Sequence, residues 1–144
     1  LDEYYKNSAL LLNPTRGDSF SLVTLEAMKY GCAILATDVY AIKEMDIDGY
    51  NGYLTKSMLH IWDDDGTLNK HYRKKQKELL RSGKIDYELV KWMYEKLVFL
   101  SKNRDQLEKM CFNSLKLARN TDFSADKVLK MWNEILLKAK VGIE

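Results

Sequence analysis

Asn13-Pro14-Thr15-Arg16-Gly17-Asp18-Ser19-Phe20-Ser21-Leu22-Val23-Thr24-Leu25-Glu26-Ala27-Met28 is the stretch whose reading decides the fold. Ala9 to Leu12, just before it, is an apolar run too short for an ordinary helix and closed by Pro14, so it reads as a buried strand ending in a turn. Thr15 to Ser21 is polar and turn-rich. Leu22, Leu25 and Met28 then fall at helical spacing, and Gly31 is where such a helix stops. A second uninterrupted apolar run, Ala33 to Thr37, follows at once. Continuous apolar strands joined by a helix predict a parallel sheet covered on both faces.

Upstream, Leu1 to Ser8 reads as the end of a helix, and the chain opens on Leu rather than Met, so a piece of a longer protein is expected. Downstream, a short helix near Ala41 to Met45 leads to the turn Asp48-Gly49-Tyr50-Asn51-Gly52 and a third strand, Gly52 to Thr55. From Lys56 to Ile85 periodicity weakens and charge dominates. The last third is helical. Asp86 caps a helix carrying Leu89, Trp92, Met93, Leu97 and Leu100 on one side. Asn103 and Gln106 form a capping-box pair ahead of the stripe Leu107, Met110, Cys111, Ser114, Leu115 and Ala118. Ser124 caps a final helix whose Val128, Trp132, Ile135, Leu136 and Ala139 are expected to face inward. The order is βαβαβ followed by three helices.

Composition narrows the function. With 144 residues, 46% hydrophobic and 31% charged, the chain has the make-up of one globular domain that needs neither disulfides nor a metal to be stable. Lys and Arg exceed Asp and Glu by only two, which excludes the overall field of a nucleic-acid-binding protein. Cys32 and Cys111 form no ligand spacing, and His60 and His71 have no matching partners, so a reduced, cytosolic setting and no zinc are expected. No segment reaches the roughly 18 apolar residues of a membrane span.

The decisive stretch places two carboxylates, Asp18 and Glu26, across a strand-to-helix turn. The open amides near Ser21 to Val23 and the positive end of the helix dipole make an anion site suited to a diphosphate. Glu26 lies about one turn further in, and helical side chains lean toward the N-terminus, so its carboxylate points back toward such a ligand and suits a vicinal diol. Asp18 reaches the ligand from the loop, or serves only to meet the helix dipole.

At these residues the sequence resembles the C-terminal nucleotide-binding domain of the GT-B retaining glycosyltransferases, the group 1 family. That family reads E-G-F-G-L-V-x-L-E-A-M where this chain reads Asp18-Ser19-Phe20-Ser21-Leu22-Val23-Thr24-Leu25-Glu26-Ala27-Met28. Gly31 to Val39 is similar to its G-x-P-V-I-A-T-D-V strand, Glu44 to its following acidic residue, and Asp48-Gly49-Tyr50-Asn51-Gly52-Tyr53-Leu54 to its D-G-x-N-G-x-L turn. The likeness covers residues 1–55 and 86–140. It implies an α/β, Rossmann-like parallel sheet, here partial with about three strands and a helical C-terminal third. Residues 1–144 are then the C-terminal portion of the domain, with 56–85 as a charged insertion.

The resemblance also implies a function. The full-length protein would transfer a sugar, with retention, from a UDP-, GDP- or ADP-sugar donor to the hydroxyl of a sugar or lipid-linked acceptor, with no metal and no cofactor. The enzyme would be a hexosyl or related transferase of polysaccharide or glycolipid biosynthesis, and the fragment alone inactive. Asp18 and Glu26 are the implied catalytic carboxylates. Substrate contacts fall to Asp18, Ser19, Phe20, Ser21, Leu22, Val23 and Glu26, with Glu26 on the ribose and Asp18 on the donor sugar. The chain departs from the pattern at Asp18, one methylene shorter than Glu, at Ser19 and Ser21 in place of glycines, at Tyr40-Ala41 in place of Gly-Gly, and at Lys43 in place of proline. The alternative is a non-catalytic nucleotide-binding or scaffold domain of the same fold.

Two further features sit in the insertion. Asp63-Asp64-Asp65 after an apolar run mimics a metal-diphosphate motif, but Gly66 and its polar neighbours suit a solvated turn. Residues 69–84 carry a local charge of +6, which reads as a solvated helix face or as contact with an anionic membrane surface. Localisation is expected to be cytoplasmic, with peripheral contact at the inner membrane face through this segment. The edge of so small a sheet should also promote self-association.

Overall fold

A computed structural model describes residues 1–56, 63 and 67–141. Three strands, β1 (Leu10–Asn13), β2 (Ala33–Thr37) and β3 (Gly52–Thr55), pair in the order β1-β2-β3. Both pairings are parallel, with Leu11 opposite Ile34 and Leu35 opposite Tyr53. Helix α1 (Asp2–Lys6) precedes β1, α2 (Leu22–Lys29) joins β1 to β2, and the short α3 (Ile42–Met45) joins β2 to β3. Then come α4 (Tyr72–Ser82), α5 (Tyr87–Lys102), α6 (Arg104–Asn120) and α7 (Ala125–Val141). The α/β, Rossmann-like architecture is the one expected.

Strand alternation sorts the core into two clusters. Ile34 and Ala36 face α1, α2 and α3, where they meet Tyr5, Ala27, Met28, Ile42 and Met45. Ala33 and Leu35 face the other way, onto Leu100 of α5 and Leu107 and Met110 of α6. β2 is buried at every position because it has a strand on each side and helices on each face. Cys32 and Cys111 are free thiols, both pushed up in pKa first by burial.

Local signals explain the joints. Gly31 ends α2 with φ +79° in a Schellman arrangement: its amide bonds to Met28 O and that of Cys32 to Ala27 O. Gly52 admits no other residue, since a Cβ there would stand 1.9 Å from Ile34 O. The side chains of the turn brace it: Asp48 Oδ1 accepts the Leu54 amide, and Asn51 Oδ1 accepts that of Ile47. Asp86 caps α5 by accepting the Leu89 amide, and Ser124 Oγ accepts the Lys127 amide at the start of α7.

Five expectations need correction. β1 is half-buried rather than buried, because it is the edge strand and Leu12 lies beyond the reach of α5 and α6. Leu22, 64% exposed, is not on the buried stripe of α2, which is Thr24, Ala27 and Met28; as the first helical residue it overhangs the sheet. The capping box does not form, because the Asn103 side chain donates back to Phe99 O, the last turn of α5. The stripe on α7 faces solvent: Val128, Trp132, Ile135, Leu136 and Ala139 are exposed because nothing among the described residues covers them. Leu97 of α5 is exposed as well. Of Asp63 to Asp65 only Asp63 is described, and its Oδ1 accepts from Asn69 Nδ2; Asp64 and Asp65 lie outside the described residues.

Candidate functional site

The loop 14–21 leaves the C-terminal end of β1 and delivers the chain to α2, the place where parallel α/β sheets bind ligands. A buried polar knot fixes that delivery. Asn13 Nδ2 donates to Ser21 Oγ at 3.0 Å and to Thr24 Oγ1 at 3.1 Å, and the two hydroxyls are 2.9 Å apart. Thr37 at the end of β2 also donates to Thr15 O, so the loops after the two strands are tied together.

Ser21 is the N-cap of α2 and takes φ +61°, ψ +66°, the left-handed region that favours glycine. Its hydroxyl points inward to the knot, so it caps nothing. Asp18 serves the turn instead, its Oδ1 accepting the amides of Phe20 at 3.2 Å and Ser21 at 2.9 Å. Two of the amides expected to face a ligand are thus held by the chain itself. Those of Leu22 and Val23 meet no acceptor within the chain among the described residues. Phe20, Leu22 and Val23 stand exposed around them, with the Phe20 ring resting on Phe123, 6.4 Å between centroids.

Glu26 lies one turn further along α2, half-buried, and forms no ion pair among the described residues. Its Oε2 accepts a hydrogen bond from Tyr5 Oη at 3.2 Å. Burial, then that hydrogen bond, push the Tyr5 phenol above its ordinary pKa, so it stays a donor. The contact was not foreseeable from spacing, since it spans 21 residues between α1 and α2. No hydrogen bond joins Asp18 to Glu26.

A separate cleft opens between α3 and β3, lined by Asp38, Lys43, Asp46, Asp48, Thr55 and Lys56 among others. Asp46 has no exposed surface, and neither of its oxygens has a partner within the chain among the described residues. Burial, then the charge of Asp48, raise its pKa to about 8. Among the described residues no three His, Cys, Asp or Glu side chains gather as a metal site would require, and no helix is long and apolar enough to cross a membrane.

Residues 1–60 match the family described as Glycosyl transferases group 1. Over 54 residues the chain is 39% identical to an uncharacterized 41.2 kDa protein in the cps region of Klebsiella pneumoniae, covering 38% of this chain and 15% of that protein. The fold is similar to the crystal structure of the C-terminal domain of LpcC, a glycosyl transferase group 1 family protein from Francisella tularensis, with a TM-score of 0.53 at 22% identity over 80% of this chain and 44% of that one. The chain therefore spans less than half the length of either relative. The stretch that builds the strand–turn–helix site thus resembles the group 1 glycosyl transferases over residues 1–60, and the fold around it is similar to that of such a C-terminal domain.

Proposed function

We propose that the chain is the C-terminal portion of a nucleotide-sugar-binding domain, and that the longer protein transfers a sugar with retention from a nucleotide-diphosphate donor to an acceptor hydroxyl. The observation that carries this reading is the pairing of an unneutralised carboxylate, Glu26, with two open amides at Leu22 and Val23, on one helix and one turn apart. A diphosphate suits the amides and the helix dipole, and a ribose diol suits the carboxylate. Exposed Phe20, Leu22 and Val23 would shed water against the ligand and strengthen those contacts. The amides would stabilise charge on the departing diphosphate, an electrostatic role that needs no metal.

Glu26→Gln tests the site. It should weaken both the free nucleoside diphosphate and the nucleotide sugar, since both carry the ribose, by about 1.5–3 kcal/mol. Asp18→Asn should leave diphosphate affinity nearly unchanged and lower nucleotide-sugar affinity or turnover, if Asp18 also meets the donor sugar. Calorimetry with UDP, GDP, ADP and their sugars, with and without EDTA, reads all of this. Equal loss of diphosphate binding in both variants would refute the division of roles.

A second reading has an observation of its own. Asp18 is occupied by two backbone amides, which favours a silent binding domain in which Asp18 only shapes the turn. Turnover unaffected by Asp18→Asn in a loop that keeps its shape supports that narrower role. For partners, the cps-region relative suggests a lipid-linked or polysaccharide acceptor and a cytoplasmic enzyme. The basic face of α4, within a segment of charge +6, suits contact with an anionic inner membrane face. Flotation with anionic vesicles, sensitive to salt, tests that contact, and sedimentation tests self-association through the open edge of β1.

A further inference from the structure

Glu26 is a long side chain on a half-buried helix face, and left alone it would sample several rotamers. One group restricts it. Tyr5, on the last turn of α1, is 7% exposed and lies in the core cluster with Ala27 and Met28. Its ring is stacked on Tyr30 of the same helical layer, 5.8 Å between centroids and 18° between planes. Its backbone carbonyl accepts the Cys32 thiol. A ring held on its face and at its backbone presents its hydroxyl at one point, and there it meets Glu26 Oε2.

The chemistry leaves the carboxylate competent. An ionised carboxylate accepts at about four lone-pair sites, and Tyr5 takes one of them. The others suffice for two hydroxyls on neighbouring carbons. A neutral phenol adds orientation without cancelling charge, as a lysine or arginine would.

We infer that Tyr5 is a positioning residue, which fixes the Glu26 carboxylate against a ribose diol and so makes the site select ribonucleoside over 2′-deoxyribonucleoside diphosphates. The inference rests on Glu26 as the ribose contact. Tyr5→Phe keeps the ring, the stacking and the burial and removes only the hydroxyl. Calorimetry with UDP, GDP and ADP and their 2′-deoxy counterparts should show Tyr5→Phe weakening the ribonucleotide about 5- to 10-fold while the deoxynucleotide changes less than about 2-fold, within the error of such a comparison. In a Glu26→Gln background the same change should add nothing.

Equal weakening of ribo- and deoxynucleotides by Tyr5→Phe means a structural role and overturns the inference. Loss of ribose preference in Glu26→Gln but not in Tyr5→Phe overturns it while sparing Glu26. No ribose preference in the unmodified protein, or no binding of any of these diphosphates, overturns the reading of Glu26 and the inference with it. Should Tyr5→Phe fail to fold, ring-labelled tyrosine followed by NMR titration decides the contact in Glu26→Gln. The Tyr5 phenol should then ionise at lower pH than in the unmodified protein, and an unchanged titration overturns the inference.

Discussion

Asp18 and Ser21 shape one turn by different means, and the difference can be measured. Asp18 contributes a single oxygen that accepts two amides. Asp18→Asn keeps an oxygen there and should cost less than about 0.5 kcal/mol, whereas Asp18→Ala strands both amides and should cost about 1–2 kcal/mol in urea unfolding. Indistinguishable stabilities would mean that the carboxylate does not hold the turn. Ser21 sits in the left-handed region while its hydroxyl meets Asn13 and Thr24. Glycine at this position, as in the family's pattern, relieves the backbone but loses the hydroxyl; alanine loses the hydroxyl and keeps the strain. Ser21→Ala should therefore be less stable than Ser21→Gly by about 1 kcal/mol, against the usual preference for alanine. The reverse order would place the turn outside the left-handed region.

At the scale of elements, the joint between α3 and β3 carries a buried acid whose titration should set a pH dependence. An aspartate titrates near 3.8 when unperturbed, while Asp46 in the fold does so at about 8. Well below pH 3.8 it is neutral in both states. Between pH 4 and 8 the unfolded chain ionises while the folded chain keeps its proton, so stability falls as pH rises through that window and levels off above it. The loss should be on the order of 3–5 kcal/mol. Asp46→Asn cannot ionise, and its stability between pH 5 and 8.5 should vary less than that of the unmodified chain. Parallel curves for the two proteins would show that Asp46 ionises freely where it lies.

The same elements show what a sequence can say. β2, β3 and the stop of α2 were legible because an unbroken apolar run, a D-G-x-N-G turn and Gly31 each impose a local geometry that burial then uses. The caps at Asp86 and Ser124 were legible for the same reason. The strand–turn–helix carrying Asp18 and Glu26 could be placed from the pattern. What lay beyond it was the polar knot of Asn13, Ser21 and Thr24, the use of the Asp18 oxygen on its own turn, and the hold of Tyr5 on Glu26. The knot and the Tyr5 contact depend on how separate segments dock, and the Asp18 contact on the local backbone of the turn; periodicity encodes neither. Spacing misled at Leu22 and along α7, since an apolar stripe states that a face prefers burial and not that this chain supplies the partner.

For the whole molecule, stability should reside in the two clusters on either side of β2, and α7 lies outside both. Trp132 is 58% exposed, and Ile135, Leu136 and Leu137 are similarly open, so α7 removes little apolar surface from water. An isolated helix of 17 residues has marginal stability of its own. Removing residues 125–144 while keeping Phe123, which packs on Phe20, and Ser124 should leave the urea midpoint unchanged. The slope of the transition should also stay within the 10–15% uncertainty typical of such extrapolations, because it scales with the area exposed on unfolding. Met28→Ala, at a site with no exposed surface in the first cluster, should by contrast cost about 2–5 kcal/mol. The pair of measurements separates two accounts of α7. If the shortened chain loses more than about 1 kcal/mol, beyond the error of well-behaved unfolding data, α7 packs on this domain in solution and the described clusters are incomplete. If it keeps its stability, the apolar face of α7 was never part of this core, and its seven exposed large side chains, Val128 to Leu137, remain a surface that only another body can bury.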